Sequence, residues 1–150
     1  MYFELSIKIN RPPADVFAFL RDKDLYPREE NSPVLLLEKT TPGPAGVDTC
    51  YLEIVRVFRY FRLDIVSRIT SFDPPRLLAE DFSGGGMHGH LSYQFLPAGE
   101  MTLLMQREML EYRGLLKLLE PLIRRMLGKR LRERLESIKT DLESGFAISD

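Results

Sequence analysis

The chain has two histidines, His88 and His90, separated by one residue. On a β-strand such residues share a face, so both imidazoles could reach one ligand or metal ion. A zinc site needs three or four protein ligands, however, and Leu91, Tyr93 and Phe95 mark the opposite face as the core side. We therefore expect an exposed sheet face for both histidines, with a place on a pocket rim as the alternative, and no metal site.

Neither the single cysteine nor the glycine run indicates a catalytic or phosphate-binding site. Cys50 is the single cysteine, which excludes an internal disulfide, and it has no histidine or basic partner nearby in sequence. The run Gly84–Gly86 lacks the following Lys-Ser/Thr of a phosphate loop and opens no helix, so it indicates a strand connection. We find no Ser/His/Asp or Cys/His pattern, and whether the chain is an enzyme stays open.

The strongest candidate for orienting a ligand is Arg107. Met101, Met105 and Met109 recur at even spacing on one strand face, and flexible thioethers suit an adaptable apolar pocket, although ordinary core filling is the simpler interpretation. Arg107 falls on this same face, where a charge must be paired, reach the rim or meet an anionic ligand group. Glu108 would face the opposite side.

Alternating strands and one long helix must position these residues. The strand patterns cover residues 2–10, 34–40, 48–58, 61–72, 77–83, 87–96 and 101–110. A short helix follows Pro12-Pro13, and residues 21–33 leave room for one further helical turn. From Leu115 to Leu142, leucines at spacings of three and four predict an amphipathic helix. Pro121 lies in its first turn or kinks it, Gly145 ends it, and residues 147–150 form a loose tail.

Consecutive strands with short turns predict an antiparallel sheet, and the C-terminal helix is the only large element that can cover one of its faces. The predicted fold class is therefore α+β: a curved antiparallel sheet of six to seven strands around a long C-terminal helix, with one or two short helices after the first strand. A space left between helix and sheet would be a ligand pocket.

Composition limits the classes of function. The 150 residues fit one domain over residues 1–150, and the net charge of −1 argues against a nucleic-acid partner. The helical segment 114–144 nevertheless carries a net charge of +3, so transient contact with a membrane stays open, whereas no apolar run is long enough for stable insertion. We expect a cytoplasmic monomer or homodimer without a cofactor.

Several motifs resemble one superfamily. They are Ile9-x-x-Pro12-x-x-x-Val16-Phe17-x-Phe19-Leu20, then Ile69-x-x-Phe72-Asp73-Pro74-Pro75-Arg76, then Tyr93-x-Phe95-x-Pro97, then the long helix. This order is similar to the SRPBCC (START and birch-pollen-allergen-like) superfamily, and most similar to its polyketide cyclase/dehydrase branch. The resemblance covers about residues 2–144 and implies a helix-grip fold with a cavity for a hydrophobic or amphipathic small molecule.

The leading hypothesis is a protein that binds a lipid-, sterol- or polyketide-like molecule between the sheet and the C-terminal helix. The predicted ligand-binding residues are Leu63, Ile65, Leu91, Tyr93, Met105, Arg107, Leu118, Leu122 and Met126. The alternative is a cyclase or dehydratase that uses the same cavity, with Tyr93, a histidine or Arg107 polarising a carbonyl. A protein-interaction domain that uses the same groove is a third interpretation.

Overall fold

The computed structural model describes residues 1–25 and 32–145, with the backbone alone at Phe58. The seven strands are β1 (Tyr2–Ile9), β2 (Val34–Lys39), β3 (Cys50–Phe58), β4 (Phe61–Asp73), β5 (Leu77–Gly84), β6 (Met87–Ala98) and β7 (Met101–Tyr112). Helix α1 (Pro13–Arg21) follows β1, and a 3₁₀ segment (Gly114–Leu119) leads into helix α2 (Glu120–Glu143). The extra helical turn predicted within 21–33 falls largely outside the described residues, as does the predicted tail.

All seven strands form one antiparallel sheet in the order β1-β7-β6-β5-β4-β3-β2. The first strand pairs with the last, so that Tyr2 lies opposite Met109 and Ile9 opposite Thr102. The other neighbouring strands in the sheet are also consecutive along the chain, which is the usual arrangement in an antiparallel sheet. The predicted helix-grip α+β fold is confirmed.

Short turns join the strands at the end of the sheet where β7 runs into the 3₁₀ segment. Gly85 and Gly86 have φ angles of +58° and +79°, the left-handed region that a two-residue hairpin turn requires. The glycine run is therefore the β5–β6 turn, as its lack of a phosphate-loop pattern indicated. The β3–β4 turn at Arg59-Tyr60 is equally short but contains no glycine.

Helix α2 covers the concave face with its C-terminal half. Leu131, Leu135, Ile138 and Leu142 are buried there and join the core around Phe17 of α1. Pro121 lies in the first turn of α2, where the missing N–H has no partner to lose. The continuous helix predicted from Leu115 is thus divided, because its first residues form the 3₁₀ segment. Within the described residues, no helix is long and apolar enough to cross a bilayer.

Candidate functional site

The concave face carries a group of polar side chains beneath α2. They are Glu53 on β3, Glu80 on β5, Tyr93 on β6, Gln106 and Glu108 on β7, and Arg134 on α2. The strand register brings them together: Tyr93 lies opposite Gln106, while Leu91 lies opposite Glu80 on one side and Glu108 on the other. We call this set the interior polar cluster.

Arg134 is the cation of the cluster. It shares a face of α2 with Leu131 and Ile138, three and four residues away, and these leucine and isoleucine side chains face the sheet. Its side chain is exposed, yet it lies close enough to the concave face for the charges there to act on it. The charge interactions with Tyr93, and then with Glu53, Glu80 and Glu108, raise the pKa of Arg134.

Arg134 is not neutralised by direct contact. In the described part of the chain it makes no hydrogen bond or ion pair, although three carboxylates act on it electrostatically. Its five N–H donors therefore remain free to hold an oxygen acceptor.

Two polar atoms of the cluster also lack partners among the described residues. The Tyr93 hydroxyl and the Gln106 Oε1 atom are both inaccessible to solvent and make no hydrogen bond. Burial raises the pKa of Tyr93 to about 12, so the phenol stays neutral and able to donate. A buried polar group without a partner costs about 1–3 kcal/mol, so these two atoms lower the stability of the fold.

Glu108 is the titratable group of the cluster near neutrality. Its side chain is 7% exposed, and its Oε2 accepts a hydrogen bond of 3.1 Å from Gln106 Nε2. Burial raises the pKa of Glu108 to about 7, with Glu80 and Glu53 raising it further, while Arg134 and the Gln106 hydrogen bond oppose the shift. The carboxyl can therefore gain or lose a proton close to physiological pH.

Glu80, by contrast, has a direct partner. The Lys23 ammonium lies 2.9 Å from Glu80 Oε2, in an ion pair whose side chains are 14% and 13% exposed. The same ammonium lies 4.6 Å from the centre of the Tyr51 ring, a cation–π contact. This pair fixes the segment after α1 against β5 and neutralises Glu80. Among the described residues, Glu53, Glu108 and Arg134 form no ion pair, and Glu108 has only the hydrogen bond from Gln106.

Several predicted ligand-binding residues face the cluster. Leu91 and Tyr93 are buried on the concave face, and Leu63 and Ile65 are half-buried on it, since they lie opposite Val55 and Glu53 in the register of β3 and β4. They surround the polar cluster with apolar surface, and their contact with a ligand stays a prediction.

The expected orientation of Met105 and Arg107 is wrong. On β7 the even-numbered residues Thr102 to Tyr112 are buried under α2, and the odd-numbered ones lie on the convex face. Arg107 Nε lies 3.2 Å from Glu4 Oε2 in an exposed ion pair on that outer face. Apolar character suggested the odd positions as the inner side, but the inner side of β7 is the more polar one.

The three predicted residues at the start of the C-terminal helix occupy a different surface. Leu118 and Leu122 are 77% and 56% exposed, and Met126 is 36% exposed. They lie before the buried stripe of α2 begins at Gly128, so they do not enclose the polar cluster.

Sequence reasoning missed Glu53, Glu80, Gln106 and Arg134 and placed Glu108 away from the site. A signal existed for Arg134, since it lies within the leucine stripe at helical spacing and that stripe faces the sheet. The three acidic residues had no comparable signal, because the faces of β3 and β5 become clear only when the register of the sheet is known.

Both histidines face solvent on the convex side, in the orientation that the alternation favoured. His88 Nε2 lies 2.9 Å from Glu111 Oε2, and His90 Nδ1 lies 2.6 Å from Asp81 Oδ1. They line an open depression of about 500 Å³ with residues of β4, β5 and β7. No three His, Cys, Asp or Glu side chains in the described ranges come close enough to share a metal ion.

Comparison with known proteins supports the fold over its whole length. The model of a family described as "polyketide cyclase / dehydrase and lipid transport" matches residues 2–143. Comparison with curated protein sequences gives no match.

Solved structures share the architecture at low sequence identity. A START superfamily protein from Mycobacterium smegmatis has a TM-score of 0.74 at 12% identity, over 95% of this chain and 97% of that one. The Zhui aromatase/cyclase from Streptomyces sp. R1128 has a TM-score of 0.69 at 17% identity, over 95% of both chains. A norcoclaurine synthase point mutant from Thalictrum, in complex with a transition-state analogue, has a TM-score of 0.68 at 15% identity, over 93% and 92%.

Proposed function

The chain belongs to the polyketide cyclase/dehydrase and lipid transport family, and on that premise we propose that it binds an amphipathic small molecule between the concave face of the sheet and α2. The apolar part of the ligand lies against Leu63, Ile65 and Leu91, and an oxygen of its polar part lies between the Tyr93 hydroxyl and Arg134. The observation that supports this proposal is the buried Tyr93 hydroxyl, which makes no hydrogen bond with any described residue and interacts electrostatically with Arg134.

The donors define which ligand group fits. Arg134 can only donate hydrogen bonds, and the neutral Tyr93 phenol can donate one, so their common partner is an acceptor oxygen: a carbonyl, a carboxylate or a similar group. Glu108 adjusts the charge of the site, because its protonation near pH 7 removes one negative charge. An anionic ligand therefore binds together with a proton on Glu108, whereas a neutral carbonyl compound does not require one.

The test of binding uses a fluorescent anionic amphiphile, 8-anilinonaphthalene-1-sulfonate, titrated into the full chain. We expect Arg134→Gln to weaken its binding tenfold or more, because a hydrogen bond to a charged group contributes about 1.5–3 kcal/mol. The matched control is Arg107→Gln, which removes the same charge from the convex face and should leave the affinity unchanged. Equal loss in both variants, or no saturable binding, would contradict the proposal.

The pH dependence of the same titration tests Glu108. Binding of the sulfonate should tighten as the pH falls through about 7, because Glu108 becomes neutral over that range. In Glu108→Gln the affinity should be independent of pH there. Native mass spectrometry of the purified chain adds a direct readout, since a retained ligand appears as a mass increment.

A second candidate function is acid–base catalysis on the bound molecule, and Glu108 is the observation that favours it. A base with a pKa of about 7 beside two oxygen-binding donors suits enolisation. Glu108 would take a proton from the carbon next to a carbonyl, the C–H electron pair would become the C=C bond of an enolate, and Tyr93 and Arg134 would hold the enolate oxygen. Such an enolate is the nucleophile that a cyclisation needs.

This candidate is tested with 1-tetralone as a probe ketone in deuterated water. Exchange of its protons next to the carbonyl, followed by NMR, should be accelerated by the chain and lost in Glu108→Gln. Glu111→Gln, which alters a carboxylate of the convex face, is the control. Ligand binding without acceleration would leave the chain a binding protein and reject the catalytic function.

A further inference from the structure

An exposed apolar surface lies at one end of the molecule, around the 3₁₀ segment and the first turns of α2. Its most exposed members are Leu115 and Leu118, at 80% and 77%, followed by Leu119, Leu122 and Met126. Four of these residues are leucines within eight positions, and none of them joins the core cluster. Contiguous apolar surface of this kind marks an interaction site.

Aromatic residues of a neighbouring turn extend this surface. Tyr60 and Phe61, at the β3–β4 turn, are 90% and 70% exposed. The β3–β4 turn, the β5–β6 turn and the end of β7 all lie at the same end of the antiparallel sheet. Hydrogen bonds tie these parts together, since Arg130 Nη2 donates to the Arg56 carbonyl and the Arg113 N–H donates to the Gly86 carbonyl, each across 3.2 Å. We call the exposed residues of this end the apolar rim: Tyr60, Phe61, Leu115, Leu118, Leu119, Leu122 and Met126.

Basic side chains surround the rim. Residues 113–130 contain six basic residues and one acidic residue, a net charge of +5. The exposed Arg125 and Lys129 lie three residues after Leu122 and Met126, on adjacent positions of the helix surface. The one acidic residue, Glu120, is 3.6 Å from Arg124 and so is already paired. Arg59 and Arg62 flank the aromatic pair of the turn and are exposed as well.

We propose that the apolar rim docks on the surface of an anionic phospholipid membrane. Leucine and aromatic side chains would enter the boundary between headgroups and acyl chains, and the flanking arginines and lysines would bind lipid phosphates, as in interfacial helices. A second copy of the chain fits less well, because a symmetric contact through the rim would bring Lys117, Arg124 and Arg125 of both copies together. The proposal does not depend on the interior polar cluster, since docking needs no ligand inside.

The experiment is flotation of the full chain with vesicles. We expect binding to phosphatidylcholine vesicles that contain phosphatidylserine, weaker binding to phosphatidylcholine alone, and release by salt. The double variant Leu118→Glu/Leu122→Glu should reduce binding at least tenfold. The control Val66→Glu/Met109→Glu places the same charges at residues that are 51% and 52% exposed on the convex face, and should bind like the wild type.

A second variant tests the charges and leaves the leucines in place. Arg124→Gln/Arg125→Gln should lower binding to the anionic vesicles about 25-fold, since each basic residue near such a surface contributes roughly a factor of five. Circular dichroism of the leucine and arginine variants should match the wild type, because Leu118, Leu122, Arg124 and Arg125 are all exposed.

Four results would overturn the proposal. Equal binding to both kinds of vesicle would remove the role of the charges, and equal loss in the convex-face control would remove the role of the rim. A concentration-dependent dimer that the rim variants abolish would assign the rim to a second copy. Binding to an acidic protein without binding to vesicles would replace the membrane as partner.

Discussion

The more apolar face of β7 is the exposed one, and the more polar face is buried. The convex side carries Met101, Leu103, Met105 and Met109, which are half-buried or exposed, whereas the concave side includes Gln106 and Glu108, which are buried. The convex-face charges of β7 form ion pairs, Arg107 with Glu4 and Glu111 with His88. On its concave face, Glu108 forms no ion pair with any described residue and accepts a hydrogen bond only from Gln106.

The outer ion pairs are compatible with folding alone, whereas the buried polar groups of the concave face need another explanation. A paired, solvated ion on the outer face contributes little to stability and costs little. Among the described residues, a buried carboxyl whose only partner is an amide and a buried phenol without a hydrogen bond make the ligand-free fold less stable. Since folding gains nothing from them, their place on adjacent strands beneath α2 is the main support for a binding role.

The largest difference between the two faces is expected in the free energy of unfolding when one of two adjacent leucines of β7 is replaced by alanine. Leu104→Ala removes a side chain that is 0% exposed, and the free energy of unfolding should fall by about 2–5 kcal/mol. Leu103→Ala, on the half-buried convex side, should cost only about 1 kcal/mol. Urea unfolding of both variants measures the difference, and equal losses would mean that the convex face is covered in solution.

The next effect concerns the two glutamates of the same strand. Because the pKa of Glu108 is about 7 in the fold and 4.5 when exposed, the fold holds this proton more tightly than the unfolded chain. Stability is therefore highest below about pH 4.5 for this group and is lost as the pH rises through about 7, by up to about 3 kcal/mol.

Glu108→Gln should abolish that loss and make the chain more stable than the wild type above pH 7. Glu111→Gln, on the exposed face, should change stability by less than about 0.5 kcal/mol at any pH. Thermal unfolding at a series of pH values provides the measurement. A wild-type stability that stays flat across this range would place Glu108 in contact with water.

A smaller effect is expected for two tyrosines. Tyr93→Phe deletes a buried hydroxyl that has no partner, and the ligand-free chain should gain about 1 kcal/mol while ligand affinity falls. Tyr2→Phe deletes an exposed hydroxyl that donates to Glu4 across 2.8 Å and should shift stability by a few tenths of a kcal/mol. If Tyr93→Phe destabilises the ligand-free chain, its hydroxyl has a partner in solution.

The smallest effect should be at the histidines of the convex face. His88→Asn and His90→Asn break exposed pairs with Glu111 and Asp81, so each should change the free energy of unfolding by less than about 0.5 kcal/mol. Neither should alter ligand binding, and a loss of binding in either variant would move the site to the outer depression.

The strands, the long C-terminal helix and the antiparallel order were predictable because alternation and leucine spacing are local signals. The inner side of β6 followed as well, since Leu91, Tyr93 and Phe95 alternate with polar residues. On β7 the same rule failed, because apolar methionines lie outside and polar residues inside. Only the pairing of Tyr93 with Gln106, a contact between strands, shows which side is inner.

The leucines of the C-terminal helix also show that a local pattern does not determine burial. Leu122 and Leu135 belong to one periodic stripe, but the first is exposed and the second is 3% exposed. Periodicity predicts which residues share a face, and the length of sheet beneath the helix decides where that face is covered.

The pairing of β1 with β7 has a consequence for how the chain is made. Tyr2 meets Met109, and the Met1 ammonium donates to the Leu110 carbonyl, so contacts of the first strand span more than a hundred residues. Helix α2 then returns to the same strand, where Lys139 donates to the Lys8 carbonyl. During synthesis, β1 has neither its strand partner nor its covering helix until β7 and α2 have left the ribosome. A nascent chain stalled before β7 should therefore expose an unpaired, half-apolar strand to chaperones.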